Sequence, residues 1–223
     1  MRNGMFIVID GTDGSGKKTQ TAKLMQRLIE DGHEVEKIDF PQYGKKSAGL
    51  VENYLNGVYG QANDVSPYQG SIFYAVDRYD ASFQIKQRLA EGKIVISDRY
   101  VSANMGHQAA KIASDADKDI FLDWLDNLEY GIFNIPRPDA NIFLYVDPEI
   151  SRNLALKVEK LNMDKSKDVH ENSGDHMKKA SEAFKYVAKK YGRKQIDCIV
   201  DNQLRSIDSI GDELYDHISS LLK

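Results

Sequence analysis

Short apolar runs and longer amphipathic stretches alternate along this chain. Met5-Phe6-Ile7-Val8-Ile9 is the first such run and predicts a short buried strand. Val35 to Phe40, Lys93 to Ser97, Asn141 to Val146 and Ile196 to Val200 repeat the pattern. Between the strands, Leu24, Met25, Leu28 and Ile29 recur at helical spacing within residues 20–30. Ser66-Pro67 has the form of an N-cap followed by proline at the first helical position, and that helix runs to about Ala90 before Gly92. Pro136 and Pro138 bracket a turn, and Asp147-Pro148 opens another helix. A last helix begins at Ser206 or Asp208, with Ile207, Ile210, Leu214, Ile218 and Leu221 as its apolar stripe. Residues 157–174 are polar and without period, which predicts a mobile segment inserted between helices.

Alternating strands and helices predict an α/β fold: a five-stranded parallel sheet covered by helices on both faces. Ligands of such sheets bind at the C-terminal strand ends. That rule selects the loop after Ile9, the segment Phe40-Pro41-Gln42-Tyr43 and the segment Asp98-Arg99-Tyr100. All three are expected on one rim.

Length and charge narrow the class further. A chain of 223 residues is expected to form one domain. Its net charge of -4 gives no sign of a nucleic-acid partner. The single cysteine, Cys198, lies in an apolar run, is expected buried and inert, and fits a reducing compartment. The first strand starts within a few residues of the N-terminus, leaving no room for a signal peptide. No apolar run approaches the ~20 residues that cross a bilayer. The expectation is a cytoplasmic protein with no membrane partner.

The chemistry concentrates in Gly11-Thr12-Asp13-Gly14-Ser15-Gly16-Lys17-Lys18-Thr19, between a strand and a helix. That context and the spacing G-x-x-x-x-G-K are those of a phosphate-binding loop. Gly11, Gly14 and Gly16 let backbone N–H groups wrap an anion closely. The helix opening near Lys17 adds its dipole and unpaired N–H groups, and Lys17 adds a full charge. The position after that lysine should be Ser or Thr; here it is Lys18, with Thr19 following. A dinucleotide-binding G-x-G-x-x-G is excluded, because the glycines run G-x-x-G-x-G.

A phosphate loop alone leaves many functions open. Asp98, directly after an apolar strand, can orient magnesium and its waters, and Arg99 can grip a second phosphate bidentately. Tyr74 and Arg78 stand four apart and share a helix face that could hold a base and its phosphate. An Asn-Lys-x-Asp segment, normal for guanine-specific switches, does not occur.

These motifs together resemble the thymidylate kinase family of phosphate-loop nucleoside monophosphate kinases. Residues 6–20, Asp39-Phe40-Pro41, Tyr74 to Arg78, Asp98 to Tyr100, Asn104 and Asp168 to Glu171 carry the resemblance in order. It implies a three-layer phosphate-loop fold with a lid at 157–174, ATP and Mg2+ as cofactors, dTMP as substrate and a homodimer. It implies that Gly11 to Thr19 bind ATP, and that Asp13 reaches the sugar 3′-hydroxyl or the magnesium shell, with Asp98 as the second metal carboxylate. Tyr74 would stack on thymine. Phe40, Pro41, Tyr43, Arg78, Arg99, Asn104 and His107 would line the substrate side, Arg99 chiefly its phosphate. Gly14 offers no catalytic cation, so Lys157 or Lys160 of the lid is expected to join Lys17 and Arg99 at the reacting phosphates. The alternatives kept at this stage are a kinase for another nucleotide or a nucleoside, and a nucleotide-binding switch.

Overall fold

The computed structural model describes residues 4–12, 14–61, 63–147, 150, 174–201 and 203–222. In chain order the elements are β1 (Met5–Gly11), α1 (Lys17–Glu30), β2 (Val35–Asp39), a 3-10 turn (Lys46–Ala48), α2 (Gly49–Leu55), α3 (Pro67–Ala90) and β3 (Ile94–Asp98). Then come α4 (Val101–Ala109), α5 (Asp115–Asp126), a π turn (Asn127–Ile132), β4 (Ala140–Tyr145), α6 (Gly174–Lys190), β5 (Lys194–Asp197), β6 (Ile199–Val200), β7 (Gln203–Leu204) and α7 (Ile207–Leu221). The expected lid and the helix expected from Asp147-Pro148 fall outside the described residues, save that Gly174 already opens α6.

The main sheet has five parallel strands in the order β2-β3-β1-β4-β5. Its alternation of side chains builds two cores. Phe6, Val8 and Val95 point to one face, where Ile85 of α3, Met105 of α4, Phe121 and Leu125 of α5 and Val187 of α6 cover them. Ile7, Ile9, Ile96, Ile142 and Leu144 point to the other, under Leu24 and Leu28 of α1 and Ile210, Leu214 and Ile218 of α7. The inner strands β1, β3 and β4 are largely apolar because both their faces are buried, while the edge strands β2 and β5 carry polar residues. The architecture is the three-layer sandwich that the strand and helix pattern predicts.

Two expectations shift. The strand read at Ile196 to Val200 is split: β5 covers Lys194–Asp197, while Ile199–Val200 pairs antiparallel with Gln203–Leu204. Helices α2, α4 and α5 add to the frame. The Ser66 cap is as expected, since its side chain accepts from Gln69 N while the Gln69 side chain accepts from Ser66 N. No helix among the described residues is long and apolar enough to cross a membrane.

Contact between α4 and α6 is close enough to exclude a methyl group. A Cβ on Gly106 would lie 2.6 Å from ring atoms of Phe184, and that ring stacks on Phe143 with centroids 5.2 Å apart. Gly106→Ala should therefore destabilise the protein by about 1–3 kcal/mol in urea unfolding, as overpacking does. A loss below ~0.5 kcal/mol would show that the Phe184 ring swings aside freely.

Candidate functional site: a phosphate loop facing an unsatisfied polar seam

The loop after β1 is built by its glycines. Gly14 and Gly16 hold φ of 76° and 80°, the left-handed region that favours glycine. A Cβ on Gly11 would stand 2.6 Å from Leu144 O. Lys17 Nζ donates to Gly11 O at 2.8 Å and Thr12 O at 3.0 Å, so its charge lies across the loop mouth. Gly16 caps α1 without a side-chain hydrogen bond, and the first turn holds no acidic residue. The helix thus presents N–H groups and positive dipole end to an anion. Ser15 Oγ is buried with no partner among the described residues. Lys18 and Thr19 are exposed on the first turn. Asp13 lies outside the described residues, as do Lys157 and Lys160.

The rim converges as the sheet rule requires. In the strand registers Ile9 and Asp39 both lie beside Asp98. Arg99 N donates to Ile9 O and Phe40 N to Asp98 O, each at 3.2 Å. Arg99 takes a left-handed φ of 66°, and Ser97 Oγ donates to its carbonyl at 2.6 Å. This turn aims the guanidinium back along α4, where Nη1 meets His107 Nε2 at 3.3 Å. An arginine only donates, so Nε2 is the acceptor in the tautomer that makes this bond. The His107 ring also stands edge-on to Phe184, 5.0 Å away.

The other expected residues differ in their exposure. The Phe40 ring is buried at 6 % exposure and rests on Tyr100. It packs into the core at the rim, next to the strand end that Asp98 closes. The following Pro41 is half-buried, Gln42 N donates to Asp77 of α3, and Tyr43 is exposed at 64 %. Arg78 is only 2 % exposed, its Nε donating to Glu129 at 3.0 Å, so it cannot hold a phosphate on an open face. Tyr74, one turn earlier, is half-buried beside Tyr54. Tyr54 is fixed in turn by Lys111, whose Nζ donates to its hydroxyl at 2.7 Å; burial pulls that amine down to about 8.

Between α3 and α4 runs a seam of buried polar atoms that are unsatisfied among the described residues. They are Ser71 Oγ, both amide atoms of Asn104 and Gln108 Oε1. The helices approach closely there: a Cβ on Gly70 would sit 3.1 Å from Gln108 Nε2. Orphan donors and acceptors inside a protein are costly and mark a place where a partner belongs. A planar group carrying both donors and acceptors would fit this seam.

The Thymidylate kinase family model matches residues 9–201, which holds the loop, the rim and the seam. The chain belongs to the thymidylate kinase family.

The similarity extends to individual members. The chain is 31 % identical to the thymidylate kinase of Mycobacterium tuberculosis over 148 residues, 66 % of this chain and 68 % of that one. It is 29 % identical to the human thymidylate kinase over 143 residues, 64 % of this chain and 61 % of the human one. With the thymidylate kinase of Schizosaccharomyces pombe it shares 25 % identity over 222 residues, 98 % of this chain and 93 % of that one. The solved thymidylate kinase of Candida albicans superposes with a TM-score of 0.74, covering 98 % of this chain and 92 % of that one at 22 % identity. That likeness shows the phosphate-loop kinase fold.

In this thymidylate kinase family member several site candidates escape motif reading. Gln108 stands four residues after Asn104 and shares its face of α4, a spacing visible once a helix is assigned there. Asp10, one residue ahead of the loop, is buried; burial raises its carboxyl pKa while Ser102, Arg193, Arg99 and Lys17 oppose the rise. The Ser102 hydroxyl donates to Asp10, and Asn141 Nδ2 donates to Ser102 Oγ at 3.0 Å. This chain of bonds ties the root of the phosphate loop to α4 and β4. Cys198 Sγ is buried beneath the loop, near Ser15 O, and burial pushes its thiol up to about 11. Its inertness follows from that.

Proposed function

We propose that this chain converts dTMP to dTDP using ATP and magnesium, with the residues dividing the work as follows. Kinases of this family use ATP and Mg2+ and act on dTMP. The loop backbone from Gly11 to Thr19 and the Lys17 amine hold the ATP phosphates. Tyr74 stacks on the base, Asn104 and Gln108 bond its edge, and His107 stands by the sugar. Arg99 holds the dTMP phosphate, on the same rim as Lys17. Phosphoryl transfer needs alignment and charge compensation rather than covalent help from the protein. Two cations on one rim, with phosphate groups held between them, supply both.

The observation that carries this reading is the pairing of a glycine-built loop bearing Lys17 with the orphan seam between α3 and α4. One end is built for phosphate, and the other for a flat group with hydrogen-bonding edges.

The residues also fit magnesium. No group of three His, Cys, Asp or Glu side chains that could cage a cation occurs among the described residues. Magnesium in such enzymes is held by one or two carboxylates plus phosphates and water. Asp98, half-buried at the strand end, and Asp13 would hold it; bound there, the ion compensates charge on the phosphates. Lys18 cannot ligate it. Lys157 or Lys160 adds a lid cation at the transferring group.

As a partner we propose a second copy of the chain. On α3, Tyr68, Ile72, Tyr79 and Phe83 form one exposed stripe, with Val58 and Ile132 also exposed. So large an apolar stripe is unusual on a monomer's surface. A cytoplasmic location suits the substrates.

Incubation with dTMP, ATP and Mg2+ should yield dTDP and ADP in equal amounts by anion-exchange chromatography. ADP without dTDP would reduce the chain to an ATPase and overturn the reading.

A further inference from the structure

Lys111 lies outside every motif of the chain and follows directly on the end of α4. Its backbone N donates to Gln108 O at 3.1 Å, which ties it to a residue of the seam between α3 and α4. A lysine normally buries its stem and keeps its ammonium in water. The Lys111 side chain is half-buried instead, and burial of the amine itself pulls its pKa down to about 8.

The amine donates to two other elements. Nζ reaches the hydroxyl of Tyr54 on α2 at 2.7 Å and the carbonyl of Val65 at 3.2 Å. Val65 immediately precedes Ser66, the cap of α3, and Gly70 N donates to Ser66 O at 3.0 Å. One amine thus joins α4, α2 and the start of α3. The Tyr54 ring is 1 % exposed. It stands edge-on to Tyr74, with centroids 6.3 Å apart and planes at 85°, and lies tilted against Phe73 at 6.0 Å. Edge-to-face is a preferred geometry for two aromatic rings, and each ring then restrains the tilt of the other. Tyr74 follows Ser71 by three residues and Gly70 by four, so it shares their face of α3. A chain of contacts therefore runs from Lys111 through the Tyr54 hydroxyl and ring to the Tyr74 ring. A hydrogen bond from a cation is among the stronger ones, and it fixes the far end of the Tyr54 side chain.

We propose that Lys111 is a positioning residue for the nucleotide base: by holding Tyr54 it sets the plane of Tyr74, against which the base stacks. The inference rests on the seam between α3 and α4 being the base site. Lys111 acts through the two rings and not on the substrate. Its loss lets Tyr54, and then Tyr74, tilt within the packing, which weakens base binding and leaves the phosphate loop between β1 and α1 as it was.

The experiment is steady-state kinetics of Lys111→Met in the parent and in a Tyr74→Leu background, varying dTMP and ATP in turn. In the parent background the KM for dTMP should rise about three- to tenfold, the worth of one well-placed aromatic pair, with kcat and the KM for ATP within about twofold. In the Tyr74→Leu background the same change should move the KM for dTMP by less than about twofold, because the ring through which Lys111 acts is gone. An equal rise in both backgrounds, or a folded variant that loses all parameters together, overturns the inference and makes Lys111 structural. Tyr54→Phe keeps the ring and removes only the acceptor of the amine, so it serves if Lys111→Met does not fold. Its KM for dTMP should also rise, and an unchanged KM there overturns the inference equally. A Tyr74→Leu enzyme whose KM for dTMP matches the parent's would instead sink the base-site reading, and the inference with it.

Discussion

Lys17→Met should lower kcat by about 10²–10³-fold while the fold stays intact. The amine lies across the loop mouth on two backbone carbonyls, at 2.8 Å and 3.0 Å. On the proposed reading the amine would meet there the oxygens that gain charge during transfer. Methionine keeps the length and the apolar stem, so packing of α1 on the sheet survives. Urea unfolding should shift little, and the affinity for dTMP should be unchanged, because the seam does not include Lys17. A kcat within tenfold of the parent would show that backbone N–H groups and other cations already suffice.

Arg99→Ala should lower kcat/KM for dTMP by a similar 10²–10³-fold, chiefly by raising KM, and leave the KM for ATP almost untouched. Alanine adopts the left-handed φ of 66° no less readily than arginine, so the turn should persist with Ser97 Oγ still on the carbonyl. What is lost is the guanidinium, and with it the hydrogen bond to His107. Equal rises in both KM values would move Arg99 away from the acceptor phosphate.

The parts of this molecule that sequence reveals are those with a period. The strands β1, β3 and β4 are apolar on both faces and read directly. The edge strand β5 does not, because Lys194, Gln195 and Asp197 surround the single buried Ile196. Helix α4 hides for the opposite reason: from Val101 to Gly106 every residue is buried, so no polar face exists to mark the turn of the helix. Helix α5 does carry a legible stripe, Phe121, Leu122 and Leu125, which the coarse frame leaves out.

The candidate site divides in the same way. The phosphate loop is legible because glycine spacing and lysine are local chemistry. Phe40 is read from its place beside the rim, while the turn of its ring onto Tyr100 is visible only in the fold. Gln108 needs α4 before its spacing from Asn104 means anything. Glu129, the partner of Arg78, is beyond any helical wheel, because the π turn breaks the 3.6-residue period there. Asp10 sits one residue outside the motif, and its burial under Ser102 is a tertiary fact.

The most direct measurement is kcat/KM for a panel of monophosphates with ATP and Mg2+ in a coupled assay. The account predicts dTMP first, dUMP lower by roughly 10–200-fold for one lost methyl contact, and AMP and GMP far below both. AMP or GMP turned over faster than dTMP would contradict it.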